Sequence, residues 1–230
     1  SNQRIKRSVL KFKGYMTMKI ALIGMGITVV LFIVFQIYIA MTTNKAETQL
    51  YQLIQAEKDF EIRFYPSSTM AVITSSAKTY RELGKVGFAK LAAYIFGGNK
   101  DKMQIAMTSP VHMDIGDDLS SMSFAMPAKY NQSNLPVPDN ADVRIVSSPD
   151  EFVAAITFDG FPSQEVIEKQ TALLKNALNE RHLSFYGPFR FLGYNPPYQL
   201  AGRRNEIIVA LNWAGDRPEE ERKVGHADSL

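Results

Sequence analysis

Few side chains in this 230-residue chain combine a reactive type with a useful spacing. There is no GxSxG elbow, no P-loop, no GxGxxG and no HExxH. The absence of cysteine excludes a disulfide framework, a thiolate nucleophile, Cys-ligated zinc and an iron–sulfur cluster. The three histidines, His112, His182 and His226, are far apart in sequence, and none stands at metal-ligand spacing from a carboxylate pair on an expected helix. His182 closes the second expected helix and reads as a solvent-facing residue, and His226 belongs to a polar tail. Asp117-Asp118 sits beside Gly116 and Ser120 in the pattern of a turn, and Glu219-Glu220-Glu221 is a solvated charge run. No nucleophile–base pair emerges, so the expectation is a protein that is not an enzyme.

The methionines carry more. Met103, Met107, Met113, Met122 and Met126 fall within 24 residues. Thioethers fill irregular apolar clefts and suit large flat ligands as well as ordinary cores. A planar apolar ligand such as a porphyrin could use such a surface, its propionates meeting Arg or Lys at the rim. Arg63, Lys85, Lys90, Arg203 and Arg204 are the cations placed by segment for that task, and each also reads as a routine surface charge. His112, two residues after Pro110, reads either as a strand-end polar residue or as an axial ligand to a haem iron. The residues expected to bind ligand are therefore Arg63, Lys90, Met107, His112, Met126 and Arg203, with His112 the one candidate metal ligand.

These positions must be held by folded elements, and the charge pattern shows where folding begins. Residues 1–19 carry six basic residues and no acid, leaving 20 basic against 23 acidic in the remainder. A mildly acidic folded part argues against nucleic-acid binding, which calls for a basic face. Ile20–Met41 is a 22-residue stretch without charge, long enough to span a bilayer as one helix. Six positives before it and only Lys45 soon after predict an uncleaved signal-anchor with a cytoplasmic N-terminus and the rest of the chain on the other side. If the source is Gram-negative, that side is the periplasm. Residues 42–59 read as a linker, 60–213 as the folded domain, and 214–230 as a polar tail.

Within 60–213 two halves follow one order, offset by 83 residues. Strands are expected at 60–65, 70–74, 103–107 and 122–126 in the first half, and at 143–146, 152–158, 189–194 and 206–211 in the second. Thr79 and Glu82 form a capping box for a helix whose apolar face is Phe88, Leu91, Ala92 and Ile95, ended by Gly97-Gly98-Asn99. Pro162-Ser163 opens the matching helix. Two strand-strand-helix-strand-strand units predict an α+β fold: an eight-stranded, mostly antiparallel sheet or open barrel of two pseudo-repeats, with the ligand in the concavity between them.

Five blocks resemble the SOUL haem-binding protein family: Phe60-Glu61-Ile62-Arg63-Phe64-Tyr65, Gly87–Asn99, Ile105-Ala106-Met107-Thr108-Ser109-Pro110-Val111, Phe124-Ala125-Met126-Pro127 and Tyr194-Asn195-Pro196-Pro197. The resemblance runs from about Phe60 to Trp213 and extends to the bacterial effector-binding fold, where small ligands sit in a groove between halves. It implies a distorted barrel of two related halves. It also implies reversible, non-catalytic binding of haem or another tetrapyrrole through an apolar groove and basic residues. The anchor and tail depart from small soluble members and suggest a carrier, buffer or sensor at a membrane. The alternative is an accessory subunit of a larger membrane complex, without bound haem.

Overall fold

A computed structural model describes residues 2–43, 46–116 and 118–215. The expectations placed on Asp117, on His226 and on the tail from Asp216 onward lie outside the described residues. The chain divides into two compact units, Ser1–Lys45 and Ala46–Leu230.

The first unit is one helix, α1 (Asn2–Thr43). Its segment Leu22–Thr43 has a mean hydropathy of 2.4 and is long and apolar enough to cross a membrane. Thr28 and Thr42 donate their hydroxyls back to the carbonyls of Gly24 and Tyr38, at 3.0 and 2.9 Å. The segment thus needs no water for these polar groups. The helix also runs back through the basic arm.

The second unit is α+β. Its strands are β1 (Glu47–Thr48), β2 (Gln52–Ala56), β3 (Glu61–Tyr65), β4 (Ser68–Ser75), β5 (Thr108–Ser109), β6 (Val111–Asp114), β7 (Ser120–Ala125), β8 (Arg144–Ser148), β9 (Glu151–Asp159), β10 (Phe185–Gly193) and β11 (Arg204–Leu211). Two helices, α2 (Tyr80–Ile95) and α3 (Gln164–Glu180), interrupt them. Nine strands form one antiparallel, curled sheet in the order β2-β3-β9-β11-β10-β6-β7-β4-β8. β1 and β5 make a separate two-residue parallel pair.

Three expectations change here. The sheet has nine strands rather than eight, and its edges β2 and β8 do not pair with each other, so it is not a closed barrel. The segment 42–59 is not merely a linker: it supplies β1 and β2. Met103–Met107 is not a strand. Asn99, fully buried, spends its carboxamide on this segment, donating to the carbonyls of Tyr94 and Met103 and accepting from the Met103 amide, at 2.8–2.9 Å. Those bonds satisfy Met103 in place of a neighbouring strand, and the strand forms later, at β6.

Both helices start where expected. Thr79 accepts the Glu82 amide at 3.2 Å while Glu82 accepts the Lys78 amide at 3.0 Å, and Ser163 accepts the Val166 amide at 3.3 Å. At the far end of α2, Gly97 takes φ +100, open to glycine at little cost, and the Gly98 amide closes on the Ala93 carbonyl at 2.7 Å. The buried face of α2 is Leu83, Gly87, Leu91, Tyr94 and Ile95. Phe88, expected inside, is 39% exposed and reaches Phe124 only edge-on.

Helices and sheet enclose the main core, which includes Ile62, Ile73, Leu91, Met122, Phe124, Leu174 and Ile207. Strand alternation sends the intervening side chains to the opposite face. There a smaller cluster of Tyr65, Val153, Ala155, Leu192 and Ile208 packs with Tyr51 and Tyr194. This second face, called the open face below, carries the polar residues of the sheet.

Candidate functional site

Three constellations stand out, on two sides of the sheet. The first is a charge knot on the open face. Glu206 of β11 is fully buried and its carboxylate takes bonds from four residues, two arginines and two hydroxyls. Arg63 of β3 donates to it at 2.8 and 3.2 Å, Arg204 at 2.5 and 3.0 Å, Tyr194 at 2.9 Å and Thr157 at 3.2 Å. Arg63 also reaches Glu61 at 2.7 Å. Burial by itself would raise the Glu206 pKa, but the bonds and charges of Arg63 and Arg204 outweigh it and hold the carboxyl below its usual range. Burial and the charge of Glu206 push the neighbouring Tyr65 phenol up to about 12. Tyr51 closes the knot, 4.2 Å beneath the Arg63 guanidinium and 5.4 Å from the Tyr65 ring.

The second is a cleft of about 230 Å³ further along the open face, lined by Met70, Val72, His112, Ser123, Val146 and Arg190 among others. Arg190 is paired with Glu151 at 2.8 Å. His112 is 6% exposed. Burial, then the charge of Arg190, lowers its pKa to about 3, against a smaller raising effect of Glu206. The ring is therefore neutral at physiological pH. Its Nε2 lies 2.7 Å from Gln49 Oε1. Gln49 Nε2 in turn donates to Ser68 at 3.3 Å, leaving Oε1 toward the ring, and this acceptor pairs with the imidazole tautomer protonated on Nε2.

The third constellation is the outer side of α2. Val86, Ala89, Ala93 and Phe96 recur at helical spacing, and all four face solvent. Val86 is 45% and Phe96 64% exposed. Lys85 and Lys90 flank this apolar stripe. Lys90 is bonded to Asp142 at 2.6 Å, with both side chains partly in water.

The six residues expected to bind ligand are not brought together. Arg63 is inside the charge knot, where Glu206 takes the role expected of a ligand carboxylate. Arg203 is 7% exposed. Its guanidinium donates to the carbonyls of Pro196, Gln199 and Asn195 and stacks 4.7 Å from the Phe161 ring centroid. It therefore braces the loop before β11. Met126 is buried in the main core. His112 is on the open face, whereas Lys90 is on α2, which packs against the other face. Met107 is 38% exposed in the extended segment whose Ile105 amide bonds to the last carbonyl of α2, that of Ile95, at 2.8 Å. Sequence reasoning missed Glu206, although a lone acid directly before the apolar run Ile207–Leu211 is a legible sign of a buried partner. It also missed Gln49 and the exposed stripe, whose signal is the apolar recurrence at 86, 89, 93 and 96.

For an iron-bearing macrocycle the two surfaces differ in fit. At His112 the ligating nitrogen carries a proton and is covered by Gln49, so the residues there do not fit a ready axial ligand. On α2, apolar side chains beside two lysines fit a flat macrocycle with acidic substituents. Among the described residues no group of three or more His, Cys, Asp or Glu side chains could hold a metal ion.

The domain is a curled antiparallel sheet with two helices on one face. Residues 46–210 match the family model described as SOUL heme-binding protein, and the chain belongs to that family. Among curated relatives, heme-binding protein 2 of Mus musculus is 31% identical over 155 residues, covering 64% of this chain and 76% of the relative. Heme-binding protein 1 of Xenopus laevis is 27% identical over 169 residues, covering 69% and 88%. The family is one of non-catalytic carriers.

Proposed function

We propose that this chain is a membrane-anchored, non-catalytic binding protein that holds haem or another tetrapyrrole against the outer side of α2. The carrying observation is the solvent-facing stripe Val86, Ala89, Ala93 and Phe96 beside Lys85 and Lys90 in a SOUL-family domain. From Val86 to Phe96 the stripe runs for about 15 Å along the helix, enough to support one face of a macrocycle. Apolar contact holds the ring and the lysines meet its carboxylates, while His112, on the far face of the sheet, takes no part. The order of the sheet supports a duplicated domain, since the first strand of each half, β3 and β8, pairs with the second strand of the other, β9 and β4. Leu22–Thr43 is the membrane span. The basic residues preceding it orient the N-terminus to the cytoplasm and the SOUL domain to the extracytoplasmic side.

The test is a titration of the full chain, in lipid nanodiscs, with haem and with metal-free protoporphyrin, read by absorbance against empty nanodiscs. Saturable one-to-one binding is expected, lost in Ala93→Glu and retained in His112→Ala. Binding lost in His112→Ala but kept in Ala93→Glu moves the site to the open face. No saturable binding by the wild type rejects the ligand and leaves the accessory-subunit reading.

A further inference from the structure

The segment Ala46–Leu50, which opens the domain, lies over the open face, and none of its five side chains is buried. Leu50 is 72% exposed and joins neither core. Polar bonds hold the segment down. β1 pairs with β5 through two residues, and the Gln49 amide donates to the Ser109 carbonyl at 2.8 Å. Thr48 and Ser109 hydroxyls meet at 3.2 Å, and Glu47 accepts the Ala128 amide at 2.7 Å. A segment tied by a handful of hydrogen bonds, none of them fully buried, and without apolar anchorage opens at lower free energy than the domain unfolds.

Gln49 is the one side chain of this segment that reaches inward to His112. It lines the 230 Å³ cleft on one side and a second cleft of about 390 Å³ on the other, the latter bounded by Ser68, Thr108, Met126 and Tyr130. The first cleft alone is below the roughly 300–1,000 Å³ of small-molecule sites. The carboxamide that divides the two clefts is itself bonded at both ends, with its oxygen on the His112 N–H and its nitrogen on the Ser68 hydroxyl.

We propose that Ala46–Leu50 is a displaceable strap that stoppers a ligand groove on the open face, the Gln49 carboxamide occupying in cis the polar subsite of an amide- or carbonyl-bearing small molecule. Lifting the strap joins the two clefts and bares the His112 N–H and the Ser68 hydroxyl to the incoming group. The groove is on the face opposite the α2 stripe, so it stands whether or not a tetrapyrrole binds there.

Access to His112 reports the strap directly. Diethyl pyrocarbonate acylates uncharged, accessible imidazoles, and peptide mass spectrometry reads each histidine separately. In the full-length chain at pH 7, His112 is expected to react at least tenfold more slowly than exposed His182. In Gln49→Ala it should react at least fivefold faster than in the wild type. Acetamide, which restores the missing carboxamide, should slow it again, and ethanol at the same concentration should not. Because the chain has no cysteine, a Thr48→Cys/Ser109→Cys pair offers a second variant without competing thiols: oxidised, it should protect His112 beyond the wild type, and reduction should restore the wild-type rate. Equal reactivity of His112 and His182 in the wild type overturns the proposal. So does a Gln49→Ala rate no faster than wild type, a crosslink that gives no protection, or acetamide that acts no better than ethanol.

Discussion

Arg63 and Glu206 stand 143 positions apart in the chain, yet two guanidinium nitrogens of one lie 2.8 and 3.2 Å from the carboxylate of the other, at 1% and 0% side-chain exposure. The pair bridges β3 and β11 across β9, binding an early strand of the domain to the last. Both charges are out of water, so each depends on the other for solvation.

Removing one partner should therefore cost more than removing both. Glu206→Gln strands the Arg63 charge and is expected to destabilise the domain by about 3–5 kcal/mol. The double change Arg63→Met/Glu206→Leu should lose clearly less. Urea titrations of the full chain in nanodiscs, followed by tryptophan fluorescence, compare the two; equal losses would show that the stranded Arg63 charge carries no extra cost.

The buried His112 predicts a pH dependence of stability. Its folded pKa, about 3, lies below the value near 6.5 of the unfolded chain. The unfolded state thus binds the extra proton as pH falls through 6.5, and stability drops with it, by up to about 1.4 kcal/mol per pH unit until the folded ring protonates. Arg190, Glu151, Asp114 and Glu206 are the charged groups near His112 on this face. The imidazole is the group here whose ordinary pKa lies near 6.5, so the fall between pH 6.5 and 5 belongs to it. Melting temperatures across that range should decline in the wild type and stay nearly level in His112→Gln.

Two helical glycines should respond in opposite directions. A Cβ on Gly87 would come within 2.9 Å of Ile73 Cδ1 and Met122 Sδ, where α2 lies closest to β4 and β7. Gly87→Ala is expected to cost about 1–3 kcal/mol through overpacking. At Gly84 the nearest atom would be Met113 Cε at 3.9 Å, so Gly84→Ala should stabilise by about 0.5–1 kcal/mol through helix propensity. Thermal melts of both variants give the comparison.

The stripe on α2 makes a ligand prediction apart from folding. Lys85→Glu/Lys90→Glu should weaken haem binding at least fivefold at low salt while leaving the melting temperature of the unliganded protein within about 2 °C, because exposed pairs such as Lys90–Asp142 contribute little. Unchanged affinity would remove the lysines from the site.

Local signals were strong enough to read directly. The long apolar helix follows from one long uncharged stretch, the helix starts from Thr79 and Ser163, and the family from five blocks of fixed order. These depend on residues within a few positions of each other, where covalent spacing alone decides who can meet. Strand alternation also shows that Ile62 and Arg63 face opposite ways. It does not show which strand arrives beside β3. The pairing of β3 with β9 and of β8 with β4, the seating of Glu206 on Arg63, the cover of Gln49 over His112 and the separation of His112 from Lys90 by the sheet all follow from pairings over 50 to 150 residues. Such pairings minimise the burial cost of the whole domain at once, and no stretch of the chain carries that sum by itself.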